Sequence, residues 1–241
     1  MEVNGTGRYN PTRVLKYTAE FLKSKDKALI ALGLSAKLNG VIKEITEAVG
    51  VMDELSGVMA NIGPDRWTVI DCCAGNGLLG MSIAMYFDKL VKRVISVDVR
   101  KVSVPTPESI ELINKKGYDY SYMNASVSDM YRFVNDEPTA IVSVHPCGKS
   151  ALDVIDLFNR TNASLLVMIP CCIDHRTLKS MRYVSRRHPY RYEEWCYILA
   201  DMISTGVVDV IRDKGILTPV NTVITATKGY LAAGMKAVNG I

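Results

Sequence analysis

From residue 67 onward, short apolar, β-branched runs alternate with longer segments of helical spacing. The runs Trp67–Cys72, Arg93–Asp98, Asp119–Asn124, Thr139–Val144 and Ser164–Ile169 read as strands, and a last one is expected at Thr222–Thr227. Helices are expected to start near Leu78, Pro107, Ser126 and Lys149, and one more to run from about Tyr192 to about Asp213. Strands alternating with helices in this way predict an α/β fold: a doubly wound, mostly parallel sheet with helices on both faces. Ahead of it, Pro11 to about Ile62 reads as helical, with a break at Gly33–Gly40. Leu38, Val41, Ile42, Ile45 and Val49 fall on one stripe there. The expected organisation is an N-terminal helical extension over 1–63 and a main domain over 64–241.

Composition adds bounds to this pattern. The 241 residues are 48% hydrophobic and 22% charged, ordinary for a globular chain with one well-filled core. No apolar run is long enough for a transmembrane helix, and the N-terminus has neither the basic nor the apolar region of a secretory signal. Among the six cysteines are two adjacent pairs, Cys72-Cys73 and Cys171-Cys172. Adjacent pairs suit no disulfide framework, so all six are expected reduced, in a cytoplasmic setting. A net charge of +4 permits a polyanionic partner without demanding one.

Chemistry first shows in the segment from Val69 to Gly80. A strand ends in Asp71, then Cys73, Ala74, Gly75, Asn76 and Gly77 form a glycine-rich turn, and a helix follows. Gly75, Gly77 and Gly80 fit G-x-G-x-x-G, and Asp98 closes the next strand eighteen residues after Gly80. This is a Rossmann-like arrangement that puts a nucleotide-like cofactor at the carboxyl edge of the sheet. Asp71, four residues before Gly75, would repel a pyrophosphate and welcome the ammonium of S-adenosylmethionine. Asp98 can accept hydrogen bonds from both ribose hydroxyls. The bland reading is a strand–turn–helix whose glycines serve packing alone.

These residues resemble the first motif and the ribose-binding acid of class I S-adenosylmethionine-dependent methyltransferases, with Cys73 where a first glycine is commonest. The resemblance runs from about Trp67 to Thr227. It implies S-adenosylmethionine as cofactor, with Val99 beside Asp98 in its site and the adenine near Asn124, Ala125 and Ser126.

Two later strands end in chemistry-bearing turns, His145-Pro146-Cys147-Gly148-Lys149 and Cys171-Cys172-Ile173-Asp174-His175. In a parallel sheet both lie on the edge that carries Asp71 and Gly75. His145, Cys147, Asp174 and His175 are the candidate catalytic groups, the histidines as general bases. His145 reads equally well as a turn histidine bonded to backbone. With no C-x-x-C spacing, no metal site is expected. His145-Pro146-Cys147-Gly148 and Cys171-Cys172 resemble the tRNA acceptor-stem 2′-O-methyltransferases and their methyltransferase-like relatives. Here Val144 replaces the usual lysine, Ile173-Asp174 replaces a histidine pair, and the zinc modules of the tRNA enzymes are missing.

A basic run follows, with Arg176, Arg182, Arg186 and Arg187 interleaved with Tyr183 and Tyr190. Together with Lys149 it forms the candidate substrate-binding set. Arginine with aromatics suits phosphates and unstacked bases; the bland alternative is a solvated helix face. The expected function is methyl transfer to RNA, at a tRNA-like ribose 2′-hydroxyl or a base. The alternatives are a small-molecule or protein acceptor, or cofactor binding without catalysis. No membrane partner is expected.

Overall fold

The computed structural model describes residues 38–59, 67–101, 105–135, 137–180 and 191–229. Residues 1–37 lie outside it, as does the expected domain boundary at 63/64. The described elements are α1 (Leu38–Met59), β1 (Trp67–Cys72), α2 (Leu78–Tyr86), β2 (Val91–Asp98), α3 (Pro107–Lys115), β3 (Tyr120–Asn124), a 3₁₀ helix (Val127–Phe133), β4 (Thr139–Val144), α4 (Lys149–Arg160), β5 (Leu165–Ile169), α5 (His175–Ser180), α6 (Tyr192–Asp201), β6 (Val207–Arg212) and β7 (Thr222–Thr227).

The strands form one sheet in the order β3-β2-β1-β4-β5-β7-β6. The first five are mutually parallel, and β7 runs antiparallel to both β5 and β6. Every residue of β1, β5 and β7 is buried, which explains the unbroken apolar run of β5 and the largely apolar or β-branched make-up of β1 and β7: helices cover both faces. Alternate residues of β1 feed two cores. Trp67 and Val69 pack with α1 and α2, while Ile70 and Cys72 pack with α4 and α6. This is the doubly wound, Rossmann-like fold that the pattern predicts.

Local chemistry sets the element ends. Thr106 caps α3 by accepting a hydrogen bond from the Ser109 amide, Pro107 opens the helix, and Lys115 sits in its last turn. Ser126 begins no α-helix as expected; with Asp129 it forms a capping box on a 3₁₀ helix.

Two expectations need correction. The helix expected from Tyr192 to Asp213 ends at Asp201, and Val207–Arg212 is strand β6. Ser204-Thr205-Gly206 breaks the helix, and Gly206 takes φ +96° against the Thr227 carbonyl, where a Cβ would have no room. Of the break expected at Gly33–Gly40, residues 33–37 lie outside the described residues, and Leu38 to Gly40 are helical. Among the described residues no helix is long and apolar enough to cross a membrane.

β1 and β4 are neighbours, with β2 and β3 wound to one side and β5 to the other. That is the switch point of the sheet, where a crevice opens beyond the carboxyl ends of the strands.

Candidate functional site

At that switch point lies a cavity of about 570 Å³, bounded by the turns after β1, β2, β3 and β4 and by one face of α1. Its β1 side is a closed polar network. Asp71 is 1% exposed, and its Oδ2 accepts hydrogen bonds from the Gly80 amide at 3.0 Å and the Ser96 hydroxyl at 2.9 Å. Burial pushes its carboxyl up to about 7, against the pull of those two donors. Gly80 permits this approach: a Cβ there would run into Ser96 Oγ and lie 2.9 Å from Asp71 Oδ2. Gly77 takes φ +76° at the start of α2, and a Cβ there would stand 2.6 Å from Tyr120 Oη. Gly77 shapes the turn and does not line the cavity, whereas Cys73, Ala74, Gly75 and Asn76 do. The Tyr122 hydroxyl donates to the Gly75 carbonyl at 2.6 Å and holds the turn from β3.

Asp98 and Val99 form the next stretch of wall. The Asp98 side chain is 3% exposed and fully engaged. Its Oδ2 accepts from the Gly75 amide at 3.0 Å and from Arg100 Nη2 at 2.9 Å. Its Oδ1 accepts from the Arg100 amide at 2.8 Å and from Nε at 3.0 Å. Burial alone would raise this carboxyl; the donors from Arg100 and Gly75 outweigh it and hold it below the usual carboxylate range. Asn124 does not line the cavity. Its Nδ2 donates to the Asp98 and Val99 carbonyls, both at 3.0 Å, and so fixes the loop, while Ala125 and Ser126 reach the wall.

The opposite lip comes from β4 and α1. His145 and Cys147 line the cavity from the turn after β4. Cys73 (φ +59°) and His145 (φ +57°) are the two non-glycine residues with positive φ among those described, and both lie on the cavity wall. Such backbone is held only where the surroundings over-determine it. His145 Nε2 lies 2.9 Å from Glu47 Oε1, and the buried Glu47 also accepts from the Thr218 hydroxyl at 2.8 Å. A carboxylate facing Nε2 favours the proton on that nitrogen and leaves a lone pair on Nδ1. Nδ1 has no hydrogen-bond partner among the described residues. One turn earlier on α1, Glu44 accepts from Asn76 Nδ2 at 2.8 Å. Thus α1 clamps both the glycine turn and the histidine turn.

The other expected site residues that are described stand apart from this wall. Asp174 accepts from the Arg176 amide and starts α5; His175 and Arg176 are exposed on that helix. Lys149 is exposed and paired with Asp153. Arg182, Arg186 and Arg187 lie outside the described residues. Sequence reasoning missed Glu44, Glu47 and Arg100. A signal existed for Glu47, an acid set between the apolar positions Ile45, Ala48 and Val49 of a buried stripe.

The chemistry of this donor set fits a nucleoside carrying an amino-acid tail. It offers a carboxylate for vicinal hydroxyls, a glycine turn open to close approach and a second buried carboxylate for an ammonium.

A family model described as a methyltransferase domain matches residues 40–178, more than half of the chain. No curated protein matches it. Among solved structures, the chain is similar to magnesium protoporphyrin IX methyltransferase from Synechocystis PCC 6803 with bound SAH. The identity is 13%, the match covers 90% of this chain and 99% of that one, and the TM-score is 0.51. It is also similar to the CurJ carbon methyltransferase, at 12% identity, over 92% of this chain and 72% of that one, with a TM-score of 0.51. At such identities the likeness is one of fold.

Proposed function

This chain belongs to a methyltransferase-domain family, and from that premise we propose that it moves a methyl group from S-adenosylmethionine to a hydroxyl of RNA, a tRNA-like ribose 2′-hydroxyl first of all. Bound in the cavity, the cofactor supplies an electrophilic methyl on a sulfonium. Asp98 would accept from its ribose hydroxyls once Arg100 swings aside. Gly75 and Ala74 let backbone approach it, and Asp71 would face its ammonium.

The observation that carries the hydroxyl reading is His145 beside Glu47. A hydroxyl is a poor nucleophile until its proton has somewhere to go. Glu47 occupies the Nε2 side, which leaves Nδ1, buried and without a hydrogen-bond partner among the described residues, as the nitrogen that would take the acceptor's proton. The strained turn fixes the ring's place on the wall. Positioning supplies the remainder, because methyl transfer needs an in-line approach. The choice of RNA is supported by the arginine- and tyrosine-rich run after β5, whose described ends, Arg176 and Arg191, are both exposed.

The test supplies cofactor labelled in its methyl group with total RNA, a metabolite extract and a protein extract in parallel. Label is expected in RNA, surviving alkaline hydrolysis in dinucleotides, the mark of a 2′-O-methyl group. Label confined to metabolites or protein would overturn the RNA acceptor. Tight cofactor binding without transfer to any pool would overturn methyl transfer itself.

A further inference from the structure

Three thiols meet beside the cavity, and one of them, Cys147, lines its wall. Cys147, from the turn after β4, and Cys171 and Cys172, from the turn after β5, bring their sulfurs within 4.8 Å of one another. Cys147 Sγ lies 2.7 Å from Cys171 Sγ, which lies 3.4 Å from Cys172 Sγ. We propose that these three cysteines bind one zinc-class divalent cation, with its fourth coordination position open beside the cavity.

The grouping is not what packing alone produces. Adjacent residues of an extended chain point to opposite sides. Here the chain leaves β5 in a bend, and both neighbouring sulfurs face Cys147. Cys72 and Cys196 show what cysteine does as core filler in this molecule, for both are buried among apolar side chains. Cys147 and Cys172 are exposed and Cys171 is half-buried. Among the described residues, the hydrogen-bond partners of Cys147 and Cys171 are the other thiols of the trio.

Burial above all keeps the Cys147 and Cys171 thiols above the ordinary thiol range. A cation reverses that balance: three thiols release three protons to solvent, and three thiolates hold the metal. Thiolate sulfur selects soft or borderline ions. Zinc–sulfur bonds of about 2.3 Å in tetrahedral geometry set sulfurs about 3.8 Å apart, so loading opens the Cys147–Cys171 contact by about 1 Å. Three protein ligands leave the fourth position to water or to an incoming group. Cys147 is on the cavity wall, so that position lies beside the acceptor side of the site. The ion would also tie the β4 turn to the β5 turn. This assignment stands on the cysteine geometry and is read without turnover, so it can fail or hold independently of the RNA reading.

The test purifies the full chain from zinc-supplemented cells, without chelator, and measures metal by elemental analysis. One zinc per chain is expected. Cobalt exchanged into the unaltered chain should give the intense near-ultraviolet band of thiolate-to-cobalt charge transfer. Cys147→Ser, Cys171→Ser and Cys172→Ser should each lose most of the metal, and Cys196→Ala should keep it. Cobalt spectroscopy needs no variant, so misfolding of a mutant leaves the question answerable. Absence of stoichiometric zinc together with a featureless cobalt spectrum would overturn the site. So would a Cys147–Cys171 disulfide found by mass spectrometry in protein kept under reducing conditions.

Discussion

The two lips of the cavity are built by different means. On the β1–β2 side the acids answer to neighbours from the sheet edge itself: Asp71 to Gly80 and Ser96, Asp98 to Gly75 and Arg100. On the β4 side His145 answers to Glu47, nearly a hundred residues away on α1. On the first lip the donors to both acids are supplied from the sheet edge. The second is assembled by tertiary packing and leaves the buried Nδ1 of His145 without a partner among the described residues. Acids held in place from the sheet edge suit a cofactor that is the same in every turnover. A histidine held through one nitrogen, with the other free of partners among the described residues, suits the group that must exchange a proton.

Changing one side at a time should pull binding and turnover apart. The largest effect is expected from His145→Asn, since asparagine tolerates the left-handed backbone that the turn requires. Turnover on the true acceptor should fall by a factor on the order of 10²–10⁴ while calorimetric cofactor affinity holds. Equal losses in both would erase the distinction between the lips.

Asp71→Asn probes the first lip through stability. The folded carboxyl is raised to about 7 by burial, above its unfolded value. Its protonated form therefore favours the fold at low pH, and that contribution is lost as pH rises from about 4 to about 7. At about 1.4 kcal/mol per pKa unit the loss is on the order of a few kcal/mol. Urea midpoints between pH 5 and pH 8 should fall more in the parent than in Asp71→Asn.

Asp98→Ala should weaken cofactor binding by about 10- to 100-fold, the worth of a hydrogen bond to a charged acceptor at about 1.5–3 kcal/mol. The smallest effect is expected from Arg100→Ala. It frees Asp98 from an exposed partner worth about 0.2–1 kcal/mol and should tighten cofactor binding by less than about fivefold, measured by the same titration. Weaker binding in Arg100→Ala would instead make Arg100 a cofactor contact.

The contrast also explains what was legible in the sequence. Asp71, the glycine turn and Asp98 are arranged by short-range order, with strand, turn and helix fixed by neighbouring residues, so spacing alone placed them. The central parallel strands β1, β4 and β5 were legible because burial on both faces keeps them largely apolar. Strand β6 was not, because Val207–Arg212 is half-exposed and mixes apolar with polar positions. Glu47 escaped notice because an acid on a helix reads as solvated until a distant partner is known. Arg100 is two residues beyond Asp98, yet its bidentate hold depends on side-chain reach that no spacing rule records. Arg176 in α5 and Arg191 ahead of α6 are described, but residues 181–190 between them are not, so the expected contacts of Arg182, Arg186 and Arg187 lie outside the described residues.

Gly80 has a consequence for how this sequence can drift through evolutionary time. Any side chain there drives its Cβ into Ser96 Oγ and against Tyr120, 3.2 Å away. Positions 80 and 96 are sixteen residues apart in the chain but share one volume. Alanine at 80 becomes tolerable only after Ser96 has shrunk, and shrinking Ser96 strips Asp71 of its hydroxyl donor. The three positions are thus coupled in descent. Natural relatives with a bulkier residue at 80 should carry glycine or alanine at 96, and with it a changed acid at 71.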